Sequence, residues 1–65
     1  MVTESILRLP KVIETTGLSR SSVYQYVADG RFPKPVQLGT PHRIGWAASE
    51  VQGWIQDQIR ASRSE

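Results

Sequence analysis

The chain has 65 residues, with eight Lys or Arg, six Asp or Glu, one His and no Cys, which suffices for one small domain of modest stability. The lack of cysteine excludes disulfides and thiolate metal sites, and a single histidine argues against a structural zinc site. Since the sequence contains neither a membrane-length apolar run nor a signal peptide, we expect a cytoplasmic protein with no metal, cofactor or membrane partner.

The positive charge is concentrated in the middle of the chain. Residues 1–18 are neutral overall, residues 19–43 carry +3 and residues 44–65 carry −1. The four cations of the middle segment are Arg20, Arg31, Lys34 and Arg43. A local basic zone in a small domain of high isoelectric point indicates a polyanionic partner. The alternative is that these are ordinary solvated surface charges.

The first predicted helix covers about residues 10–16. Its apolar residues recur three and four positions apart, as on one face of a helix: Leu9, Val12 and Ile13. Pro10 suits the first helical turn, and Gly17 suits a left-handed helix end. The preceding residues 6–8 fit either a short strand or an extended lead-in.

The second predicted helix covers about residues 19–29. Ser19 is a good N-cap, and Leu18 and Val23 match a hydrophobic staple. Gly30 ends the helix, and the apolar stripe consists of Val23, Tyr26 and Val27. Two short helices around a glycine-containing turn predict a helix-turn-helix, the alternative being an ordinary pair of packed helices.

A period-two pattern predicts a β-hairpin over about residues 36–46, which would be a wing beside the second helix. The predicted inner face contains Val36, Leu38, Ile44 and Trp46. The predicted outer face and tip contain Gln37, Thr40, His42 and Arg43.

The last predicted helix begins at residue 47 or 48 and ends at about residue 61. Its apolar stripe consists of Val51, Trp54, Ile55 and Ile59. Trp46 and Trp54 are expected to anchor the core, and residues 61–65 to fray. The predicted helices and hairpin together indicate a single domain over residues 1–65, with its core at about 6–60. The predicted fold is mainly α with a small β-hairpin, a winged helix-turn-helix.

Several of these stretches together resemble one known family. They are RLPKVIETTGLSRSSVYQYVADGRFPKPVQLG, R-x-G-W and SEVQGWI, within about residues 6–59. The combination resembles the AlpA family of small phage and prophage regulators, and also the related excisionases and MerR-type DNA-binding domains. The resemblance implies a winged helix-turn-helix that binds double-stranded DNA. Such a protein acts either as a transcriptional regulator or as an excision factor for a mobile element, working with an integrase in DNA recombination.

The resemblance carries over to particular positions. Ser19, Ser22 and Tyr24 match the family's helix-turn-helix residues, and Arg43 matches the basic residue of the wing. Gly45 departs from the pattern, since the family often has a second basic residue there. The family also often has a polar N-cap after the tryptophan, where this chain has two alanines at 47–48.

The candidate DNA-binding residues lie on the second helix and the wing: Ser19, Arg20, Ser21, Ser22, Tyr24, Gln25, Lys34, Thr40, His42 and Arg43. The helix would enter the major groove with its N-terminal turns leading, and Gln25 can pair with adenine. The alternatives are that Tyr24 packs on the turn, that Ser22 only caps the helix, and that Arg31 and Lys34 are merely solvated.

Other function classes are weaker. No catalytic set exists around the single histidine, so we expect no enzyme. A protein–protein adaptor stays open, although the basic middle segment argues against it as the sole role. We further expect nucleoid association and self-association on repeated DNA sites.

Overall fold

The computed structural model describes residues 4–63, which form three helices and a small three-stranded sheet. In chain order the elements are β1 (Ile6–Leu7), α1 (Leu9–Thr16), α2 (Arg20–Ala28), β2 (Val36–Gln37), β3 (Ile44–Ala47) and α3 (Ala48–Arg63). The arrangement is a winged helix-turn-helix, so the predicted fold class is confirmed. Residues 1–3 and 64–65 of the predicted frayed termini lie outside the described range.

The turn between α1 and α2 is built from local hydrogen bonds. Gly17 adopts φ 79°, in the left-handed region, and its N–H donates to the Ile13 carbonyl at 2.9 Å. The Thr16 hydroxyl donates to the Val12 carbonyl at 2.7 Å and accepts from the Leu18 N–H at 3.3 Å. A β-carbon is disfavoured at such a φ, which is why glycine ends α1 here.

The sheet has the order β1–β3–β2, with both pairings antiparallel. Residues 6–7 therefore form a strand rather than a lead-in. The partners are Ile6 with Ala47, Leu7 with Trp46, Val36 with Gly45, and Gln37 with Ile44. The two outer strands contribute only two residues each, and β3 holds the sheet together by pairing with both of them.

The register corrects the predicted faces of the hairpin. Facing residues of an antiparallel pair share a side, so Val36 lies on the side of Gly45 and not on that of Ile44 and Trp46. Val36 is accordingly 40% exposed. Gln37, predicted on the outer face, shares the side of Ile44. The prediction that Val36, Leu38, Ile44 and Trp46 share one face was wrong for the first two.

Gly45 is buried under side chains of the neighbouring strands. A β-carbon there would collide with Cγ2 of Ile6 and would lie 3.1 Å from the Leu7 carbonyl oxygen and 3.3 Å from Cδ1 of Leu38. The outer side of the sheet is thus closed by Ile6 and Leu38, and a larger side chain at position 45 requires them to move.

The core draws one buried residue from nearly every part of the fold: Val12, Val23, Phe32, Trp46 and Val51. Phe32 lies between the two tryptophans, with ring centroids 6.3 Å from Trp46 and 5.0 Å from Trp54. Trp46 is fully buried, whereas Trp54 is half-buried against the same cluster. Both therefore anchor the core as predicted, and Trp54 also reaches the surface.

Helix α3 begins with a cap from the far end of the chain. The Glu4 carboxylate accepts from the Ser49 hydroxyl at 2.5 Å and from the Ser49 N–H at 3.4 Å. The Ala48 N–H donates to the Ser5 carbonyl at 2.7 Å. A distant carboxylate therefore takes the place of the N-cap side chain that the local sequence lacks.

The other end of α3 departs from the prediction. The helix continues through Arg63, so residues 61–63 are helical rather than frayed. Every residue from 56 to 63 is exposed, and Ile59, predicted in the apolar stripe, is 39% exposed. The packed part of α3 therefore ends near Ile55, and its last two turns extend beyond the core.

Candidate nucleic-acid interface

Helix α2 presents one side to the core and a polar side to solvent. Val23 is fully buried, whereas Arg20, Ser21, Tyr24 and Gln25 are exposed. Within residues 4–63, these four side chains make no hydrogen bond or ion pair. Tyr24 is 46% exposed, so a large part of this residue is open to solvent. Each of these groups keeps its full capacity to bond an external partner.

The start of α2 is fixed by a pair of serines. The Ser19 hydroxyl oxygen accepts from the Ser22 N–H at 3.1 Å, and the Ser19 hydroxyl donates to Ser22 Oγ at 3.0 Å. Ser19 is therefore committed to capping, as its place before an apolar helix predicts. Ser22 takes part in the cap but retains its own hydroxyl hydrogen. The first two N–H groups of α2 have no helical acceptor and face outward, which favours an anion.

The wing presents its predicted tip and basic residue to solvent. The Leu38 N–H donates to the Arg43 carbonyl at 2.6 Å and the Arg43 N–H to the Thr40 carbonyl at 3.2 Å. These bonds close the turn, in which Gly39 adopts φ 93°. Thr40, His42 and Arg43 are exposed, and their side chains have no partner in the described part of the chain.

The positive charge of the middle segment is uncompensated. The ion pairs among residues 4–63 join Lys11 to Glu14 at 3.5 Å and Arg60 to Asp57 at 3.6 Å, and both lie outside residues 19–43. The predicted cations of the site, Arg20, Lys34 and Arg43, are exposed. A surface with unpaired cations and free hydrogen-bonding groups is chemically suited to a polyanion.

The loop between α2 and the wing is held by two indoles. Trp46 Nε1 donates to the Pro33 carbonyl at 2.8 Å, and Trp54 Nε1 donates to the Arg31 carbonyl at 2.7 Å. The sequence pointed to both tryptophans as core residues but gave no sign of these bonds. A buried indole N–H requires an acceptor, yet only the folded chain identifies which one. The bonds fix the position of the wing relative to α2.

The described residues form neither a candidate metal site nor a membrane-spanning helix. No group of three or more His, Asp or Glu side chains in residues 4–63 is placed to hold a metal ion. In the same range, no helix is both long and apolar enough to cross a bilayer.

The chain matches known proteins over most of its length. The family described as prophage CP4-57 regulatory protein (AlpA) matches residues 5–59. An uncharacterised protein, ORF88 of Enterobacteria phage P4, is 41% identical over 56 residues, which are 86% of this chain and 62% of that protein. The DNA-binding transcriptional activator AlpA of Escherichia coli (strain K12) is 34% identical over 61 residues, covering 85% of this chain and 86% of that protein.

Proposed function

Because this chain belongs to the AlpA family of prophage regulatory proteins, we propose that it is a sequence-specific double-stranded DNA-binding protein. It regulates transcription in a phage, prophage or other mobile element, and acts in the cytoplasm at the nucleoid. The observation that carries this proposal is the free polar side of α2. A relative described as a DNA-binding transcriptional activator supports the regulatory role.

In the proposed complex α2 lies in the major groove with its N-terminal turns leading. Gln25 forms a bidentate pair with adenine, and Ser21 bonds a base edge or a phosphate. Tyr24, Ser22 and the exposed N–H groups at the start of α2 hold phosphates. Arg20 extends the same surface. Apart from Ser22, whose hydroxyl oxygen accepts from Ser19, this assignment uses side chains that have no partner within the described chain.

The wing contacts the DNA backbone in this proposal. Arg43 binds a phosphate, while Thr40 and His42 reach the backbone or the minor groove. Lys34 adds positive charge between α2 and the wing. Gly45 supplies no second cation, so each copy makes few phosphate contacts. A single copy should therefore bind weakly, and useful affinity requires several copies on repeated sites.

Two substitutions distinguish a contact with a base edge from a contact with the DNA backbone. Gln25→Ala should cost about 1–3 kcal/mol on the cognate site and little on scrambled DNA, because a base-edge contact carries sequence information. Arg43→Ala should weaken binding to the cognate and the scrambled DNA by similar factors, because a phosphate contact adds affinity without sequence information. It should also reduce the slope of log K against log salt concentration by about 0.9, the value for one phosphate contact. Both residues are exposed, so each variant should remain folded.

The experiment starts with a footprint on the DNA upstream of the gene for this chain and at the nearest attachment site. Salt titrations of both variants on the protected site and on a scrambled duplex then test the two contacts. If Gln25→Ala left the ratio of cognate to scrambled affinity unchanged, α2 would not read the DNA sequence through Gln25. Protection only at the attachment site, with integrase-dependent excision that requires this chain, would replace the transcriptional role with that of an excision factor.

A further inference from the structure

The loop between α2 and the wing, residues 29–35, is bonded to the end of α2 through its backbone. The Gly30 N–H donates to the Val27 carbonyl at 3.1 Å, and the Arg31 N–H donates to the Tyr26 carbonyl at 2.8 Å. This pair of bonds is a Schellman motif, in which Gly30 takes the left-handed position at φ 76°. The N–H of Arg31 is thereby fixed to the last turn of α2.

The carbonyl groups of the same loop are bonded to α3 and to the wing. The Arg31 carbonyl accepts from Trp54 Nε1 of α3 at 2.7 Å, and the Pro33 carbonyl accepts from Trp46 Nε1 of β3 at 2.8 Å. Phe32, which lies between these two residues in the sequence, is 4% exposed. Arg31 therefore bridges two helices, because its N–H bonds to α2 and its carbonyl bonds to α3.

Conformational freedom in this loop is concentrated at its start. Pro33 and Pro35 have φ restricted by their rings to about −65°. Gly30 has no such restriction, and a β-carbon built there would meet nothing within 4 Å. Rotation at Gly30 would break both backbone bonds of Arg31. Of these two bonds, the one from Trp54 is made by a side chain, so a substitution can remove it.

The wing depends on this loop for the position of its first strand. Strand β2 has two exposed residues and pairs with β3, so few contacts of its own hold it in place. The Leu38 N–H, directly after β2, donates to the Arg43 carbonyl at 2.6 Å. A continuous series of bonds therefore leads from Trp54 through the loop and β2 to Arg43, the cation of the wing.

The two tryptophans differ in what else they do. Trp46 is fully buried in the wing strand β3, so its replacement would remove the centre of the core. Trp54 is half-buried on α3, a helix that makes none of the proposed DNA contacts. We propose that Trp54 is a positioning residue for DNA binding, which holds the wing in place relative to α2 through the Arg31 carbonyl. This role rests on the proposed function, in which α2 and the wing contact one duplex.

A fixed wing couples the contacts of Arg43 to those of α2. Once α2 lies in the major groove, Arg43 meets the DNA backbone at an effective concentration that depends on the stiffness of the intervening loop. A looser loop lowers that concentration and adds the entropy of ordering the wing to the cost of binding. The contribution of Arg43 therefore depends on Trp54, although Trp54 touches no DNA in the proposed complex.

Two replacements remove the indole N–H and keep an aromatic ring at position 54. Trp54→Phe is the recombinant variant. A synthetic chain with β-(3-benzothienyl)alanine at this position keeps the size of both rings and replaces the N–H by sulfur, so it separates the lost bond from lost packing. Tyr26→Phe is the matched control, since its ring centroid lies 6.4 Å from that of Trp54 and its hydroxyl makes no hydrogen bond within residues 4–63.

The first test measures binding to the cognate site and to a scrambled duplex over a range of salt concentrations, at a temperature where each variant is folded. Both replacements of Trp54 should weaken binding to each DNA about three- to tenfold, while Tyr26→Phe should bind as the wild-type chain does. The ratio of cognate to scrambled affinity should stay unchanged, because Val23 and the Ser19 cap still hold α2.

Arg43→Ala provides the readout that a loss of stability cannot imitate. It should reduce the slope of log K against log salt concentration by about 0.9 in the wild-type background, and by less than half as much in either Trp54 background. A smaller folded fraction lowers both affinities and leaves the slope unchanged. If Trp54 only stabilised the fold, Arg43→Ala would keep its full effect on the slope.

A second measurement uses the free chain without DNA. Backbone ¹⁵N order parameters of the N–H groups in residues 31–38 should fall from about 0.85 toward 0.6 in both Trp54 replacements and stay unchanged in Tyr26→Phe. Unchanged order parameters, or a full effect of Arg43→Ala in the Trp54 backgrounds, would overturn the positioning role. A wild-type chain that does not prefer its cognate site would overturn the proposed function instead, and the order parameters would still show whether Trp54 holds the loop.

Discussion

Replacing Gly45 with alanine should destabilise the fold. The new β-carbon would collide with Ile6 Cγ2 and press on the Leu7 carbonyl oxygen at 3.1 Å. Overpacking of this kind costs about 1–3 kcal/mol, and the lower chain entropy of alanine returns about 0.4–1 kcal/mol. Ile6 is 43% exposed and can rotate away, but the Leu7 carbonyl belongs to the sheet backbone. We expect a net loss of about 1–2 kcal/mol in the free energy of unfolding.

Thermal and urea melts measure this loss, which corresponds to a fall in Tm of about 4–8 °C per kcal/mol in a domain of this size. Gly53→Ala is the matched control, because that position is helical and open. It should gain about 0.5–1 kcal/mol. Repeating Gly45→Ala in an Ile6→Ala background should recover part of the loss, since the two changes share one contact. A Gly45→Ala melt at or above the wild-type temperature would refute the packing argument.

Two further predictions concern long-range contacts. Glu4→Ala should lower the free energy of unfolding in urea by about 0.5–2 kcal/mol, as expected for a lost N-cap. Adding Ser49→Ala should lower it little further, because both residues belong to one interaction. Additive losses would contradict a shared cap. Trp54→Ala should lower the free energy of unfolding by about 3–5 kcal/mol, which is comparable to the whole stability of so small a domain. Trp54→Phe should lower it by about 1 kcal/mol, because the indole hydrogen bond is lost. A near-native melt of Trp54→Ala would show that Trp54 does not anchor the core.

The helix-turn-helix was predictable because its signals are local. Gly17 and Ser19 act through backbone atoms within four residues of themselves, so the sequence window contains both the residue and its partner. The same holds for Val23, whose burial follows from the periodicity of α2. The polar residues opposite it were identified for the same reason, although their contacts with DNA remain a prediction.

The sheet was less predictable because its pairings are distant in sequence. Alternation alone placed Val36 with Ile44, but the observed register places Val36 opposite Gly45. A shift of one residue exchanges the two sides of a strand. The strand at residues 6–7 pairs with β3 some 40 residues away, and it supplies the Ile6 side chain that covers Gly45. No local sequence pattern predicts that contact.

The start and end of α3 were also poorly predicted, because they depend on parts of the fold that are distant in the sequence. Residues 47–48 lack a polar cap in the local sequence, because the cap is Glu4 at the other end of the chain. Periodicity predicted burial of Ile59, yet the body of the protein ends before reaching it. A periodic stripe reports which side of a helix is apolar, but the length of the packed segment depends on the size of the surface opposite.

Trp54 connects the core to the loop that joins α2 and the wing. Its indole N–H donates to the Arg31 carbonyl in that loop at 2.7 Å, and its ring packs on Phe32, with ring centroids 5.0 Å apart. Both contacts restrict the loop before DNA is bound. Ordering of the loop in advance would reduce the entropy lost when α2 and the wing engage DNA together.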